Sequence, residues 1–209
     1  MPARAGCPPE PVILDQARFA LTEESHPPPL GASLAPISLP DSWRQRRPGA
    51  GGLPWYRFAL DEPAGGGFRL RGLLFHVNMN AAVFVNGEWV GDGGSMTEPV
   101  AHNFNRPLYF SFPSSLLRGA DDRIDVLLYA YADHFGRLGP IEVGPHHMLA
   151  PLYERDVFRQ ITMAQIGTTL AFVTALFAGA IWLGSGFQAL YGFFFACTTA
   201  WTINSLNYW

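Results

Sequence analysis

The strongest constraint on this chain is a stretch of 50 residues, from 160 to 209, that contains no Asp, Glu, Lys, Arg or His. All 14 basic residues, all 17 acidic residues and all six histidines lie before it. The hydrocarbon core of a bilayer, about 30 Å thick, is spanned by about 20 helical residues. Residues 161–183 and 187–206 each have such a length, and Gly184-Ser185-Gly186 separates them. The pattern predicts two transmembrane helices that form a hairpin behind a soluble front part.

The composition of the front part excludes several classes of function. It carries the whole net charge of −3, whereas a nucleic-acid-binding surface is basic, so we expect no nucleic-acid partner. All basic residues are arginines, which excludes a P-loop lysine and a Schiff-base lysine. The two cysteines, Cys7 and Cys197, lie far apart in the chain and predict neither a disulfide nor a metal-binding pair. No cofactor is predicted.

The predicted domain order follows from the prolines and from apolar alternation. Residues 1–35 are rich in proline and are expected to be extended. After that, short alternating segments are separated by Gly, Pro and Asp turns, which is typical of an all-β sandwich or jelly roll. We therefore predict a β-sandwich over residues 36–150, a helical connector over residues 151–160 and then the two membrane helices.

Three local features of this sandwich lead to specific predictions. Asn86-Gly87 lies between two strand-like segments and favours a type I′ hairpin turn, because both residues tolerate positive φ. Near Gly72 the apolar alternation changes phase, which predicts a β-bulge at that glycine. Asp121-Asp122 is expected to lie in a solvated turn.

Two groups of residues carry a resemblance to known folds. The segment 37–43, followed by Trp55-Tyr56-Arg57, resembles the opening of a galactose-binding-like jelly roll. Residues 85–91 are similar to the hairpin of that fold, as in the sugar-binding domain of family 2 glycosidases. The resemblance implies a galactose-binding-like sandwich for the front part of the chain.

Three further segments together resemble the periplasmic domain of certain bacterial sensor histidine kinases: Met79-Asn80-Ala81, residues 93–96 and residues 103–108. In that family the jelly roll precedes a bundle of membrane helices and a kinase module. The resemblance implies a sensory input domain anchored in the bacterial inner membrane, with membrane lipid around its helices and the sandwich on the periplasmic side. It also implies a homodimer through the helices, or association with a kinase module. These residues contain no counterpart of the catalytic half, so we expect no enzymatic activity from them.

The resemblance also decides between two opposing signals for orientation. Arg155 and Arg159 flank the first span, and the positive-inside rule alone would place the front part in the cytoplasm. Long domains are translocated largely regardless of charge, so we follow the resemblance. The N-terminus lacks the apolar core of a signal peptide. Either the true start lies upstream, or the first membrane helix exports the N-terminus. The end of the sequence at Trp209, next to a span, leads us to expect the front piece of a longer polypeptide.

The predicted ligand site rests on the chemistry of carbohydrate recognition, which combines aromatic faces with amide, carboxylate or basic side chains in one concavity. Eight side chains supply such groups: His76, Asn78, Asn80, Trp89, His102, Asn103, Asn105 and Arg106. Each type also has an alternative structural role, since asparagines fix loops, an arginine pairs with an acid and a tryptophan packs on a sheet. We predict that a small carbohydrate-like ligand binds this face.

Other reactive groups form no recognisable catalytic or metal site in the sequence. His146-His147 would need further metal ligands such as Asp133 and His134, and the alternative is a loop near the membrane. Glu98 and His102 could be drawn as an acid–base pair, but no nucleophile accompanies them. Two other functions stay open: an accessory carbohydrate-binding domain tethered to the membrane, and a structural membrane protein that holds a partner protein at a sheet edge.

Overall fold

A computed structural model of the chain describes residues 10–22, 24–60, 69–119, 121–131 and 136–206. The chain divides into two compact units, Met1–Glu154 and Arg155–Trp209. The predictions that concern Cys7, Asp133, His134 and the last three residues lie outside the described residues.

The first unit is built from short strands, as the alternating apolar pattern predicts. The strands are β1 (Val12–Leu14), β2 (Gln16–Thr22), β3 (Ala35–Ser38), β4 (Asp41–Ser42), β5 (Leu53–Leu60), β6 (Leu70–Phe75), β7 (Ala81–Val85), β8 (Glu88–Asp92), β9 (Leu108–Pro113), β10 (Asp122–Leu128), β11 (Arg137–Leu138) and β12 (Ile141–Pro145). A short helix, α1 (Trp43–Arg46), follows β4, and a 3₁₀ turn, Ser114–Leu116, follows β9.

Most of these strands form two antiparallel sheets that share one core. The larger sheet has the order β3-β2-β5-β10-β7-β8, the smaller has the order β1-β12-β6-β9, and β4 pairs with β11. Alternate residues of both sheets fill the space between them and are buried. These core residues include Tyr56, Phe58, Leu73, Phe75, Phe112, Ile124 and Val143. The arrangement confirms the predicted all-β sandwich.

The predicted hairpin at Asn86-Gly87 is confirmed. Val85 and Glu88 are paired across the turn. Asn86 and Gly87 have φ values of 53° and 89°, so both occupy the left-handed region that a type I′ turn requires. Asn86 also donates a side-chain hydrogen bond of 2.7 Å to Asp122 at the start of β10, which ties the turn to the neighbouring strand.

The predicted bulge at Gly72 is wrong. β6 pairs residue for residue with β9 and with β12 through this glycine, and a register shift lies instead between Val83 and Phe84. The phase change in the sequence arises because Arg71 shares the inward side of β6 with Leu73. Burial lowers the pKa of the Arg71 guanidinium. A buried arginine, and not an extra residue, therefore interrupts the apolar alternation.

The sandwich begins before the boundary predicted at residue 36. β1 pairs with β12 at the edge of the smaller sheet, and β2 lies between β3 and β5 in the larger sheet. Prolines 27–29 fall between β2 and β3, where they do not interrupt a ladder. Within the predicted extended segment, residues 12–14 and 16–22 are therefore strands of the two sheets.

A long helix follows the last strand directly. It consists of α2 (His146–Val157), a π-helical turn (Phe158–Thr162) and α3 (Met163–Gly184). The helix begins before the predicted connector, so His146-His147 forms its first turn and the predicted loop at this position is wrong. The continuous helix His146–Gly184 is the one helix among the described residues that is long and apolar enough to cross a membrane.

A second helix, α4 (Ala189–Leu206), packs against α3 within the second unit. The turn between them contains Gly186 with a φ of +70°, a conformation that glycine adopts without steric cost. Ala175 and Ala178 of α3 are buried, whereas most large apolar side chains of both helices are exposed. The helical hairpin is observed as predicted. That α4 also spans a membrane stays a prediction.

Candidate functional site

Two buried asparagines organise one end of the sandwich. Asn80 follows the loop after β6, and its amide nitrogen donates to the Gly94 and Ser95 carbonyl oxygens at 2.7 and 3.0 Å. Asn103 donates from its amide nitrogen to Asn80 Oδ1 and to the Met79 carbonyl oxygen, both at 3.1 Å. Both side chains are essentially inaccessible to solvent. They hold two loops, residues 93–95 and 103–106, against the start of β7.

Arg106 extends this network to the surface. Its Nε donates to Asn103 Oδ1 at 2.6 Å, and its Nη2 donates to the Gly93 carbonyl oxygen at 3.1 Å. Gly93 is required here, because a Cβ at this position would lie 2.9 Å from Asn103 Nδ2 and closer still to Asn80 Oδ1. The predicted residues Asn80, Asn103 and Arg106 are therefore in contact, although the asparagines face the interior and cannot touch a ligand.

The loop held by Asn103 presents two side chains to two separate cavities. Phe104 lines a cavity of about 500 Å³, together with Ile13, His76, Asn78, Arg137 and Glu142. We call this cavity the Phe104 groove. Arg106 lines another cavity, of about 390 Å³, together with Asp92, Tyr109 and Tyr153. We call this one the Arg106 cavity. Both volumes lie in the range of small-molecule sites.

The Phe104 groove is framed by backbone hydrogen bonds. Gly139 N–H donates to the His76 carbonyl oxygen at 2.9 Å, and Asn78 N–H donates to the Arg137 carbonyl oxygen at 3.3 Å. A β-bridge between Val77 and Leu138 lies between these bonds. Because the two chain segments are fixed to each other, the groove exists without a ligand.

The side chains of the groove combine the groups that carbohydrate recognition uses. Phe104 is 51% exposed, so about half of its side chain is accessible to a ligand. His76 and Asn78, both predicted for the ligand site, provide hydrogen-bonding groups beside Arg137 and Glu142. Phe104, Arg137 and Glu142 were not predicted. The signal for Phe104 was an aromatic residue between two asparagines in a loop, whereas Arg137 and Glu142 reach the groove only through strand pairing.

The other predicted residues lie elsewhere. Trp89 is on β8, is 62% exposed and lines neither cavity. His102 is exposed and Asn105 is partly exposed, and neither lines the two cavities. The structure thus divides the predicted face into an internal network, a groove and isolated surface residues.

His102 belongs to the surroundings of Glu98, an exposed carboxylate held by two tyrosines. The hydroxyls of Tyr131 and Tyr129 donate to Glu98 Oε1 at 2.7 and 3.0 Å. These hydrogen bonds, Tyr131 first, lower the pKa of Glu98, and the electrostatic interaction with His102 adds to the effect. The hydrogen bond to Glu98 also raises the pKa of Tyr131 to about 12. The two tyrosines thereby fix Glu98 in the loop that precedes Asn103.

Within the described ranges, His, Cys, Asp and Glu form no group of three or more that could hold a metal ion. His146 is instead engaged with Tyr109, whose hydroxyl lies 2.7 Å from His146 Nδ1. Tyr109 also stacks on Tyr153 of α2, with ring centroids 5.3 Å apart. Burial raises the pKa of Tyr109. These contacts pack the start of α2 on the outer side of the smaller sheet.

Comparison with known proteins gives matches among solved structures. No protein-family model matches the chain. No curated protein matches it either. A β-glucuronidase from Faecalibacterium prausnitzii is 20% identical over 57% of this chain and 21% of its own, with a TM-score of 0.43. A glycosyl hydrolase family 2 member from Bacteroides cellulosilyticus is 17% identical over 64% of this chain and 20% of its own, with a TM-score of 0.49.

A family 2 β-galacturonidase from Eisenbergiella tayi, bound to glycerol, is 16% identical over 65% of this chain and 24% of its own, with a TM-score of 0.42. In all three cases the chain covers less than a quarter of the enzyme.

Proposed function

We propose that this chain is a membrane-anchored binding domain whose Phe104 groove takes a neutral, carbohydrate-like ligand. The observation that carries the proposal is a half-exposed aromatic ring surrounded by polar side chains on a backbone frame that is already formed. Sugars present apolar C–H faces and a rim of hydroxyl groups, so an aromatic ring and hydrogen-bonding side chains in one concavity match both parts.

The charges of the groove favour a neutral ligand. Arg137 and Glu142 are both in its lining and carry opposite charges. A guanidinium and a carboxylate can donate to and accept from hydroxyl groups of the same ligand. A ligand with its own net charge would be attracted by one of them and repelled by the other.

The membrane anchor is the continuous helix His146–Gly184, which follows β12 directly. We propose that the sandwich is the extracytoplasmic input domain of a signalling protein of the bacterial inner membrane, with helices α3 and α4 in the bilayer and lipid around them. The kinase module and the homodimer implied by the resemblance belong to the same proposal. A ligand can shift the packing of the helices only by its difference in affinity for two arrangements.

Binding is tested by isothermal titration calorimetry on the full chain in lipid nanodiscs, with D-glucose, D-galactose, cellobiose and maltose as probes. We expect at least one of these sugars to bind, and Phe104→Ala to weaken that binding about tenfold, which corresponds to about 1.4 kcal/mol. Trp89→Ala is the matched control, because Trp89 is an aromatic residue of similar exposure outside the groove. Equal losses in both variants, or no binding by any sugar, would refute the proposed ligand class.

The membrane orientation and the dimer are tested separately. Proteinase K added to spheroplasts should cleave the sandwich if it is outside, and only permeabilised cells should allow cleavage if it is inside. Cys197 is exposed on α4. In a Cys7→Ser background a bismaleimide should therefore link two copies through Cys197 if the helices dimerise. A sandwich protected in spheroplasts would overturn the orientation, and crosslinking no better than in a Cys197→Ser control would overturn the dimer.

A further inference from the structure

We propose that the Arg106 cavity is a second ligand site, which takes a small carboxylate that carries hydroxyl groups. The starting point is the immobilised guanidinium. A surface arginine usually samples many rotamers, but here Asn103 Oδ1 and the Gly93 carbonyl oxygen fix the Arg106 side chain. Asn103 is in turn held by Asn80, and both amides are buried. A guanidinium positioned by a buried polar network is preorganised for an anion.

The bonds that hold Arg106 leave its outer edge available to a ligand. Nε and one N–H of Nη2 are used by the protein. A guanidinium has five N–H donors, so one N–H of Nη2 and both of Nη1 remain outside these two bonds. One N–H of each terminal nitrogen can donate to one oxygen of a carboxylate, which gives a bidentate pair.

The remaining lining selects among carboxylates. Asp92 lines the same cavity, and its Oδ1 accepts the Gly94 N–H at 3.0 Å. Among the described residues, no ion pair within 4 Å joins Asp92 to Arg106. Arg106 offers donors aligned for a carboxylate, and Asp92 offers an acceptor for a hydroxyl group, so a carboxylate that also carries a hydroxyl group can engage both side chains. The stacked rings of Tyr109 and Tyr153 add an aromatic wall for the C–H face of such a ligand.

Unlike the Phe104 groove, the Arg106 cavity is lined by a residue of α2, Tyr153. Tyr153 lies on α2, and Tyr109 contacts α2 both through the Tyr153 ring and through the His146 ring. A ligand in the Arg106 cavity therefore touches the sheet end and α2 at the same time. Occupancy would stabilise the contact between Tyr109 and the first turns of the helix.

The probe pair is D-glucuronate and its methyl ester, which differ in the negative charge and one methyl group. In calorimetric titrations of the full chain in nanodiscs, we expect glucuronate to bind at least tenfold more tightly than the ester. Arg106→Gln should remove this preference, and Arg106→Lys should keep part of it because the charge remains while the bidentate geometry is lost. Arg44→Gln is the matched arginine control and should leave glucuronate affinity unchanged, because Arg44 is exposed on α1 and lines neither cavity.

Arg106 also ties the loop to Asn103, so the thermal midpoint of each variant is measured alongside binding. If Arg106→Gln fails to fold, Tyr153→Ala decides, since it leaves the asparagine network intact and should weaken glucuronate binding about tenfold. Equal binding of acid and ester, no binding of glucuronate, or a loss in Arg44→Gln as large as in Arg106→Gln would overturn the proposal. These outcomes are independent of Phe104→Ala, so this site and the proposed groove can fail separately.

Discussion

The sandwich and the helical hairpin place their apolar side chains on opposite sides. In the sandwich the large side chains are inside, and Phe58 of β5 has no exposed surface. In the hairpin the large side chains are outside, and Phe177 of α3 is 67% exposed. The residues buried between α3 and α4 are small, among them Ala175 and Ala178. Water explains the first arrangement, and the second is the arrangement expected of helices in a hydrocarbon solvent.

The hydrogen bonds of polar side chains also differ between the two regions. In the sandwich, buried polar side chains bridge distant segments, as Asn80 and Asn103 do. In the hairpin, threonine hydroxyls donate to the carbonyl four residues earlier on the same helix, for example Thr174 to Leu170 at 2.8 Å. Hydrogen bonds closed within one helix are what a segment in hydrocarbon requires, because lipid offers no partners. The contrast thus lies in the hydrogen bonds as well as in the side chains.

The largest effect that would test this contrast comes from removing one phenylalanine in each region. Phe58→Ala should lower the free energy of unfolding of the sandwich by about 3–5 kcal/mol, because it leaves a cavity in a fully packed core. Phe177→Ala should change the stability of the hairpin by about 0.5 kcal/mol or less, since its ring lies on the outside. Urea unfolding of the sandwich and SDS unfolding of the hairpin, both in nanodiscs, measure the two. Equal losses would contradict an inverted arrangement.

A charge placed on an exposed leucine of each region tests the solvent directly. Leu176→Arg on α3 should disfavour membrane insertion by about 2.5–3.5 kcal/mol, the cost of arginine near the centre of a membrane helix. Leu21→Arg on β2 should change the stability of the sandwich by about 0.5 kcal/mol or less, because this side chain faces water. Both leucines are about half exposed. Carbonate extraction of membranes reports the first change and urea unfolding the second. If Leu176→Arg stays fully membrane-integrated, α3 does not cross the bilayer.

The sequence was sufficient for the features that depend on local pattern. The Asn86-Gly87 turn, the strand alternation and the long apolar helix could all be predicted, because each follows from neighbouring residues and its immediate solvent. The prediction of a bulge at Gly72 was wrong, because two different causes produce the same sequence pattern. A buried arginine at an inward position and a bulge that exchanges the two faces both interrupt the apolar alternation. Asp122 was expected in a solvated turn but is buried. The residues that bury it come from the β7–β8 turn and from the loop before β10.

The candidate site was predictable only in its residue types. The sequence indicates Asn80, Asn103 and Arg106 as polar residues of the predicted binding face, but their side-chain contacts join three segments of the chain. Whether an asparagine faces a ligand or the interior depends on those contacts, and composition does not reveal it. Arg137 lines the groove because β11 pairs with β4 and because Leu138 forms a bridge with Val77. These long-range pairings cannot be predicted from a local sequence pattern.

Lowering the pH should destabilise the sandwich and leave the stability of the helical hairpin unchanged. Burial raises the pKa of Asp122, but hydrogen bonds from the Arg118 and Gly119 N–H groups and from Asn86 outweigh it, so the pKa is lowered overall. A carboxyl with a lowered pKa in the folded state contributes stability above its unfolded pKa of about 3.9, and this is lost as pH falls through the folded value. The helices contain no acidic or histidine side chain after residue 159.

Asp122→Asn isolates this contribution. The amide nitrogen of the asparagine would face an N–H donor, so we expect the sandwich to lose about 1–3 kcal/mol at neutral pH and to lose part of its acid sensitivity. Urea unfolding between pH 2.5 and pH 7 measures both effects. SDS unfolding of the hairpin over the same range should be flat. A steep acid dependence of the hairpin, or an unchanged pH profile in Asp122→Asn, would show that the carboxyl is not the source.

The smallest effect concerns the close approach of the helices. A Cβ at Gly192 of α4 would lie 2.8 Å from Nε1 of Trp182 on α3, whereas a Cβ at Gly167 would meet no atom within 4 Å. Gly192→Ala should destabilise the hairpin by about 1 kcal/mol through this clash. Gly167→Ala should stabilise it by about 0.5–1 kcal/mol, because alanine favours a helix where there is room. SDS unfolding resolves the opposite signs. The same sign for both would mean that helix propensity, and not small-residue packing, determines how α3 and α4 associate.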